Sequence, residues 1–182
     1  RPYLSLKYNL AKFYLSNSMK RFAIKEFEEI LEIDVQDHMG VRYELMATYC
    51  NLEDYDKAKN FFECEQMEYH EEDLMIVPMM TVSLMTGHIE DADFYFDLLY
   101  AKNPEFENYL KMIEQGDEER LVAETLKVNP ILFEANSMQS LLMVFNQVVD
   151  LSQSEYYFTW LIEKYCAKRP QRHVARSEER RV

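Results

Sequence analysis

The fold is decided by a short stretch at residues 55–62, which reads Tyr-Asp-Lys-Ala-Lys-Asn-Phe-Phe. It places the small Ala58 four residues before Phe62, and positions four apart share one face of a helix. The same spacing recurs, and the three pairs are Ala23 and Phe27, Ala58 and Phe62, and Ala92 and Phe96. Successive alanines are 35 and 34 residues apart. A small residue lets a neighbouring helix approach closely and the phenylalanine fills the space beside it, so this period predicts stacked helical units.

Each pair is preceded by another apolar-periodic stretch, and a short turn signal separates the two. The turn signals are residues 16–18, 51–54 and 86–88, and polar breaks close the units at residues 34–37, 70–73 and 103–104. Helix, turn, helix and break at this period predict antiparallel helix hairpins. We therefore expect an all-α array whose three repeats span about 1–37, 38–72 and 73–104.

The composition agrees with a helical chain. Only 3 Gly and 5 Pro occur among 182 residues, whereas β-sandwiches, Rossmann domains and glycine-loop enzymes need many tight turns. The hydrophobic fraction of 48% excludes a disordered chain.

These residues resemble the tetratricopeptide repeat family, whose second helix carries a small residue, a large aromatic four later and a closing proline. Pro104 closes the third repeat here, while the first-helix tryptophan of the family is absent from all three. The resemblance implies a right-handed superhelix. More loosely, residues 1–3, 40–43 and 103–110 resemble the repeat region of suppressor-of-tumorigenicity-7-like and related bacterial repeat proteins, which are interaction scaffolds.

The period breaks after residue 104, and we interpret residues 105–167 as an atypical repeat with capping helices. Apolar spacing predicts helices over about 105–115, 118–128 and 134–151, and a last helix capped by Ser152. Residues 168–182 contain Pro170 and six basic residues, which predicts a basic disordered tail.

The resemblance also implies a concave groove lined by the first helix of each repeat. Its groove positions are Ser5, Tyr8, Asn9 and Lys12 in the first repeat, Tyr43, Glu44, Ala47, Cys50 and Asn51 in the second, and Val77, Thr81, Leu84 and Met85 in the third. Only Asn9 and Lys12 suit a clamp for a peptide carboxylate, so we expect an aromatic or apolar segment instead. The alternative is that several of these residues pack against residues 105–167.

The formal net charge is -13, which argues against binding nucleic acid or an anionic membrane surface. Without the basic tail the chain is still more acidic, because residues 1–167 hold 14 bases and 31 acids. Ten of the acids lie between Lys59 and Lys102, a stretch without Lys or Arg. We interpret these acids either as a solubilising surface or as a surface that attracts a basic partner.

The sequence contains no pattern that indicates catalysis. Its four histidines lack metal-ligand spacing, and no nucleophile, phosphate-loop or zinc-protease motif is present. We therefore predict no catalytic residue, no metal and no cofactor. The three scattered cysteines, with no secretory signal and no apolar run long enough for a membrane span, predict a reducing, cytoplasmic setting.

Together these patterns predict a scaffold that binds a protein or peptide segment without catalysis. One alternative is a self-associating module, dimeric through an apolar face near Trp160. Another is the repeat domain of a larger, multidomain and possibly enzymatic protein.

Overall fold

The computed structural model describes residues 2–64, 67–129, 132–148 and 155–179. Within these ranges the chain forms ten α-helices and one short 3₁₀ helix at Met67–Glu71, and no strand. The helices are α1 (Pro2–Ser16), α2 (Lys20–Ile33), α3 (Val41–Asn51), α4 (Tyr55–Cys64), α5 (Asp73–Met85), α6 (Ile89–Lys102), α7 (Phe106–Glu114), α8 (Glu118–Lys127), α9 (Met138–Gln147) and α10 (Glu155–Glu179). The all-α prediction is confirmed.

The first six helices pack mainly against their neighbours in sequence. Contacts join α1 to α2, α3 to α4 and α5 to α6, and further contacts join α2 to α3, α4 to α5 and α3 to α5. The alanines and phenylalanines of the period lie on α2, α4 and α6, and all six are buried. Burying a phenylalanine such as Phe96 stabilises the fold by about 2–3 kcal/mol.

The turn before α3 depends on buried polar contacts. The Asp37 carboxylate accepts hydrogen bonds from the backbone N–H of Val41 at 2.6 Å and of Arg42 at 3.0 Å, and so caps the helix start. Arg42 Nε adds an ion pair to Asp37 at 2.8 Å, and the guanidinium lies 3.4 Å from the centre of the Tyr69 ring. Gly40 precedes the helix with φ +67°, a left-handed conformation that favours glycine.

Helix α5 is the centre of the molecule. All residues from Asp73 to Leu84 are buried, and α3, α4, α6, α9 and α10 all contact the helix. Pro78 lies inside it, where a proline ring commonly delays or kinks a helix. The helix nevertheless begins at Asp73, five residues before the proline.

The C-terminal helices cover α5 and α7. α9 packs on α5, α7 and α8, while α10 packs on α7 and α5. Aromatic rings join the two parts: the centroid of Phe96 lies 5.7 Å from Trp160 and 5.5 Å from Phe106. The ring centroids of Tyr109 and Phe145 are 4.6 Å apart.

Two predicted boundaries differ from the structure. The helix expected over 134–151 begins only at Met138, because Ser137 caps it: the Ser137 hydroxyl accepts from the Ser140 N–H at 3.2 Å. We expected a disordered tail from residue 168 onwards. In the structure residue 168 lies inside α10, which continues to Glu179. Lys168 of this helix pairs with Asp97 of α6 at 2.8 Å, and Arg169 pairs with Glu114 of α7. The first two basic residues of the expected tail are therefore bound to acids of other helices.

Candidate functional site

The predicted groove residues lie on α1, α3 and α5, as their spacing required, but they divide into two groups. The α1 residues Tyr8 and Lys12 and the α3 residues Tyr43 and Glu44 line an open cleft of about 570 Å³. The others lie elsewhere. Asn9 and Ser5 are exposed on α1 and are not among the cleft residues, while the remaining α3 and α5 positions are buried or half-buried.

A small polar cluster forms the floor of the cleft. Lys12 Nζ lies 2.8 Å from Glu44 Oε1, and the Tyr8 hydroxyl lies 3.5 Å from the same oxygen. On the neighbouring wall, the Tyr43 hydroxyl donates a hydrogen bond to the Glu72 carboxylate. Burial raises the pKa of Tyr8, and the charge of Glu44 acts in the same direction. The pKa of Tyr43 is raised by burial and by Glu72, so both phenols remain neutral donors at neutral pH.

Apolar side chains complete the walls and come from parts of the chain that the sequence analysis did not select. Met39 and Gly40 precede α3, Leu74 lies in the first turn of α5, and Phe133 and Met143 belong to the C-terminal region. The remaining lining residues are Ala135 and Gln147. The C-terminal contribution could not be inferred from a repeat register, since residues 132–148 lie outside the period.

The other half of the predicted groove is filled. Asn51 Nδ2 donates to the Gln147 carbonyl at 2.9 Å, and the Thr81 hydroxyl lies 2.8 Å from the Tyr157 hydroxyl. Val77, Leu84 and the α3 residues Ala47 and Cys50 are buried, whereas Met85 is half-buried. The alternative interpretation, that several groove residues pack against residues 105–167, therefore holds for Asn51 and Thr81.

The sequence does contain a signal for this covering. Residues 74–85 read Leu-Met-Ile-Val-Pro-Met-Met-Thr-Val-Ser-Leu-Met and are apolar on nearly all sides. A helix that is apolar on every side must be packed on every side. Neighbouring helix hairpins of a repeat array contact such a helix on one side only, so other helices must cover the rest. The C-terminal helices supply that cover.

A buried carboxylate fastens the C-terminal region to α5. Asp73 Oδ1 accepts from the Asn136 N–H at 3.0 Å, and Oδ2 accepts from Asn103 Nδ2 at 2.8 Å and from the Ser140 hydroxyl. Asn136 Oδ1 in turn accepts from the Asp73 N–H at 3.0 Å. Burial raises the pKa of Asp73, and the accepted hydrogen bonds oppose that shift. The connection joins α5, α6 and the segment before α9.

Part of the acidic stretch on α6 is paired within the chain. Asp91 lies 2.9 Å from Lys59 of α4, and Asp93 lies 2.9 Å from Lys164 of α10. Lys168 of α10 reaches Asp97 of the same helix α6. These acids thus face bases of the same molecule rather than only solvent.

A second, shallower cavity of about 240 Å³ lies beside α8. Tyr109, Leu142, Phe145 and Phe158 form its base, and Val122 and Leu126 of α8 stand at its edge. None of these residues was selected from the sequence. Its lining is mainly apolar but includes Thr125 and Asn146, and the Tyr109 phenol is its ionisable group among the described residues; burial raises the pKa of that phenol.

Trp160 does not offer the apolar face that the sequence suggested for a homodimer. Its side chain is 8% exposed and packs edge-on against Phe96, because α10 turns it towards α6. An interface centred on this residue would require opening the core.

The thiols and acidic groups show no arrangement typical of a metal centre in the described part of the chain. No set of three or more His, Cys, Asp or Glu there is close enough to hold a metal ion. Cys50 is buried, which raises the pKa of its thiol, and Cys64 and Cys166 are exposed. None of the helices described is both long and apolar enough to cross a membrane.

Comparison with known proteins found no family model, no curated protein and no solved structure that matches the chain. The tetratricopeptide resemblance therefore stays a prediction that rests on the residues of this sequence.

Proposed function

We propose that the chain is a tetratricopeptide-like scaffold that binds a protein or peptide segment in the cleft between α1, α3 and the segment before α9, and that it performs no catalysis. The cleft carries this proposal, because four residues selected from the sequence, Tyr8, Lys12, Tyr43 and Glu44, line one concave site. The 34–35 residue period and the pairwise packing of α1 to α6 support the repeat assignment.

The chemistry of the cleft defines the segment that would fit. Leu74, Phe133 and Met143 provide an apolar wall for an aromatic or aliphatic side chain. Glu44 lines the cleft and pairs with Lys12, and Glu72, which accepts from the hydroxyl of the lining residue Tyr43, adds a second carboxylate next to it. An apolar residue followed by a basic residue therefore suits the site better than an acidic segment or a nucleic acid.

The volume limits the length of what binds. A cleft of about 570 Å³ holds a few side chains, since pockets for small ligands measure about 300–1,000 Å³. The covered half beyond Asn51 and Thr81 cannot accept the continuation of a peptide without displacing α9 and α10. We expect a short motif and a setting that keeps the three free thiols reduced, as the cytoplasm does.

Selection from a random peptide library on the immobilised chain tests the proposal. Peptides retained by the wild type should share an apolar residue beside Lys or Arg, and Tyr8→Ala combined with Glu44→Ala should weaken them at least about tenfold. Lys111→Ala, which removes an exposed lysine of α7, serves as the control and should leave binding unchanged. Selected peptides that bind the double variant as well as the wild type would place the site elsewhere.

A further inference from the structure

Helix α1 exposes a continuous apolar stripe on the side that faces away from the core. Tyr3 is 60% exposed, Leu6 68%, Leu10 38% and Phe13 59%. Their spacings of three, four and three residues match the a and d positions of a heptad, the pattern by which one helix packs along another. Single exposed apolar residues are ordinary, but four in one register on one helix form a seam without a partner within the described residues.

The stripe continues onto α2. The ring of Tyr14 lies 6.2 Å from Phe13 and 5.5 Å from Phe22, centre to centre, and Phe22 is 55% exposed. The exposed fractions of the stripe and of Phe22 correspond to roughly 500–600 Å² of surface, the upper range for the largest apolar patch of a monomer. Two such patches facing each other would bury about 1,100 Å², close to the lower limit of a stable interface.

The charge of α1 fits a second copy of the same chain. The chain carries a net charge of -13, yet α1 contains no acid. Its two lysines are neutralised internally: Lys7 lies 2.6 Å from Glu26 and 2.5 Å from Glu29, and Lys12 lies 2.8 Å from Glu44. Two copies can therefore meet along α1 without bringing unpaired like charges of this helix together.

We propose that the α1 stripe is the interface of a homodimer in which α1 packs on α1 of a second copy about a two-fold axis. A contact that uses the same residues on both sides closes at two subunits and does not extend into a filament. Tyr8 and Lys12 of the peptide cleft lie about half a turn of the helix away from the centre of the stripe. Both clefts remain open in the dimer, and the interface does not depend on what the cleft binds.

Light scattering and sedimentation of the whole chain over a concentration series test the interface. The wild type should change from monomer to dimer as its concentration rises through the micromolar range, which is the affinity that an interface of this area permits. Leu6→Glu combined with Leu10→Glu should weaken the dimer at least about 100-fold, because it places four carboxylates in the apolar seam. Circular dichroism of the variant should match that of the wild type, since both leucines are exposed in the monomer.

Leu126→Glu is the matched control, because Leu126 on α8 is 82% exposed and lies outside the stripe. This variant should dimerise like the wild type. A wild type that stays monomeric up to about 1 mM would overturn the proposal. A dimer that survives the double substitution, or that is lost in Leu126→Glu, would also overturn it.

Discussion

Removal of the Asp73 side chain is the perturbation that tests how the C-terminal helices are held on α5. In Asp73→Ala one N–H of Asn103, in a buried site, and the N–H of Asn136, in a part-buried site, lose their acceptor. The Ser140 hydroxyl loses Asp73 as well, but it retains the Ser137 carbonyl at 3.0 Å. The structural cost therefore comes mainly from two orphaned donors.

Each buried donor without a partner costs about 1–3 kcal/mol, which gives an upper bound of about 2–6 kcal/mol for the two, because the Asn136 N–H is only part-buried. The loss is reduced because the variant no longer buries an ionised carboxylate, the same burial that raises the pKa of Asp73. We expect a decrease of about 2–4 kcal/mol in the free energy of unfolding. Asp73→Asn, which keeps one acceptor oxygen, should lose less.

Urea denaturation followed by circular dichroism measures this loss, and limited proteolysis locates it. The Ala variant should be cleaved faster near residues 132–136, where Asn136 is released from α5. Asp117→Ala, which removes only the N-cap of α8, should cost about 1 kcal/mol and leave that cleavage rate unchanged. A loss below about 0.5 kcal/mol for Asp73→Ala would refute the reasoning, since it would mean that the donors find other partners at no cost.

Three further predictions follow from burial. Ala58→Leu should lower the free energy of unfolding by about 1–3 kcal/mol, because the site has no room for extra atoms, whereas Ala101→Leu on the exposed side of α6 should change it little in the same urea titration. Burial raises the pKa of Tyr95 to about 12, so its contribution to stability is complete below about pH 10 and is lost as the pH rises towards 12. The tyrosinate absorbance that the wild type gains over Tyr95→Phe should appear together with the loss of circular dichroism, and ionisation of Tyr95 without unfolding would contradict this. Thr81→Val should lower the free energy of unfolding by about 1–2 kcal/mol. Because the Thr81 and Tyr157 hydroxyls bond to each other, Tyr157→Phe should lower it little further in the Thr81→Val background, and losses that simply add in the double-mutant cycle would contradict this.

The helices were predictable from the sequence because their signals are local. The spacing of Ala58 and Phe62 and the short polar turns each act within a few residues, and the helices expected at 105–115 and 118–128 occur close to those bounds. The start of α9 was misjudged because apolar spacing alone does not distinguish a helix from the segment before it, and the Ser137 cap decides the boundary.

The cleft was predictable only in part, for a physical reason. A helical register indicates which residues share a face, and so it selected Tyr8, Lys12, Tyr43 and Glu44 together. It does not indicate which distant segment covers a face, and the contacts of Asn51 with Gln147 and of Thr81 with Tyr157 span 96 and 76 residues. Such contacts depend on the packing of whole helices rather than on any short pattern.

Hydrogen–deuterium exchange of the wild-type chain, with and without a peptide selected from the library, tests the central claim most directly. Binding in the cleft should slow exchange in α1 around residues 8–12 and at the start of α3 around residues 40–44, and leave α8 unchanged. Slower exchange at α8, or no change at the cleft while the peptide is bound, would contradict the account.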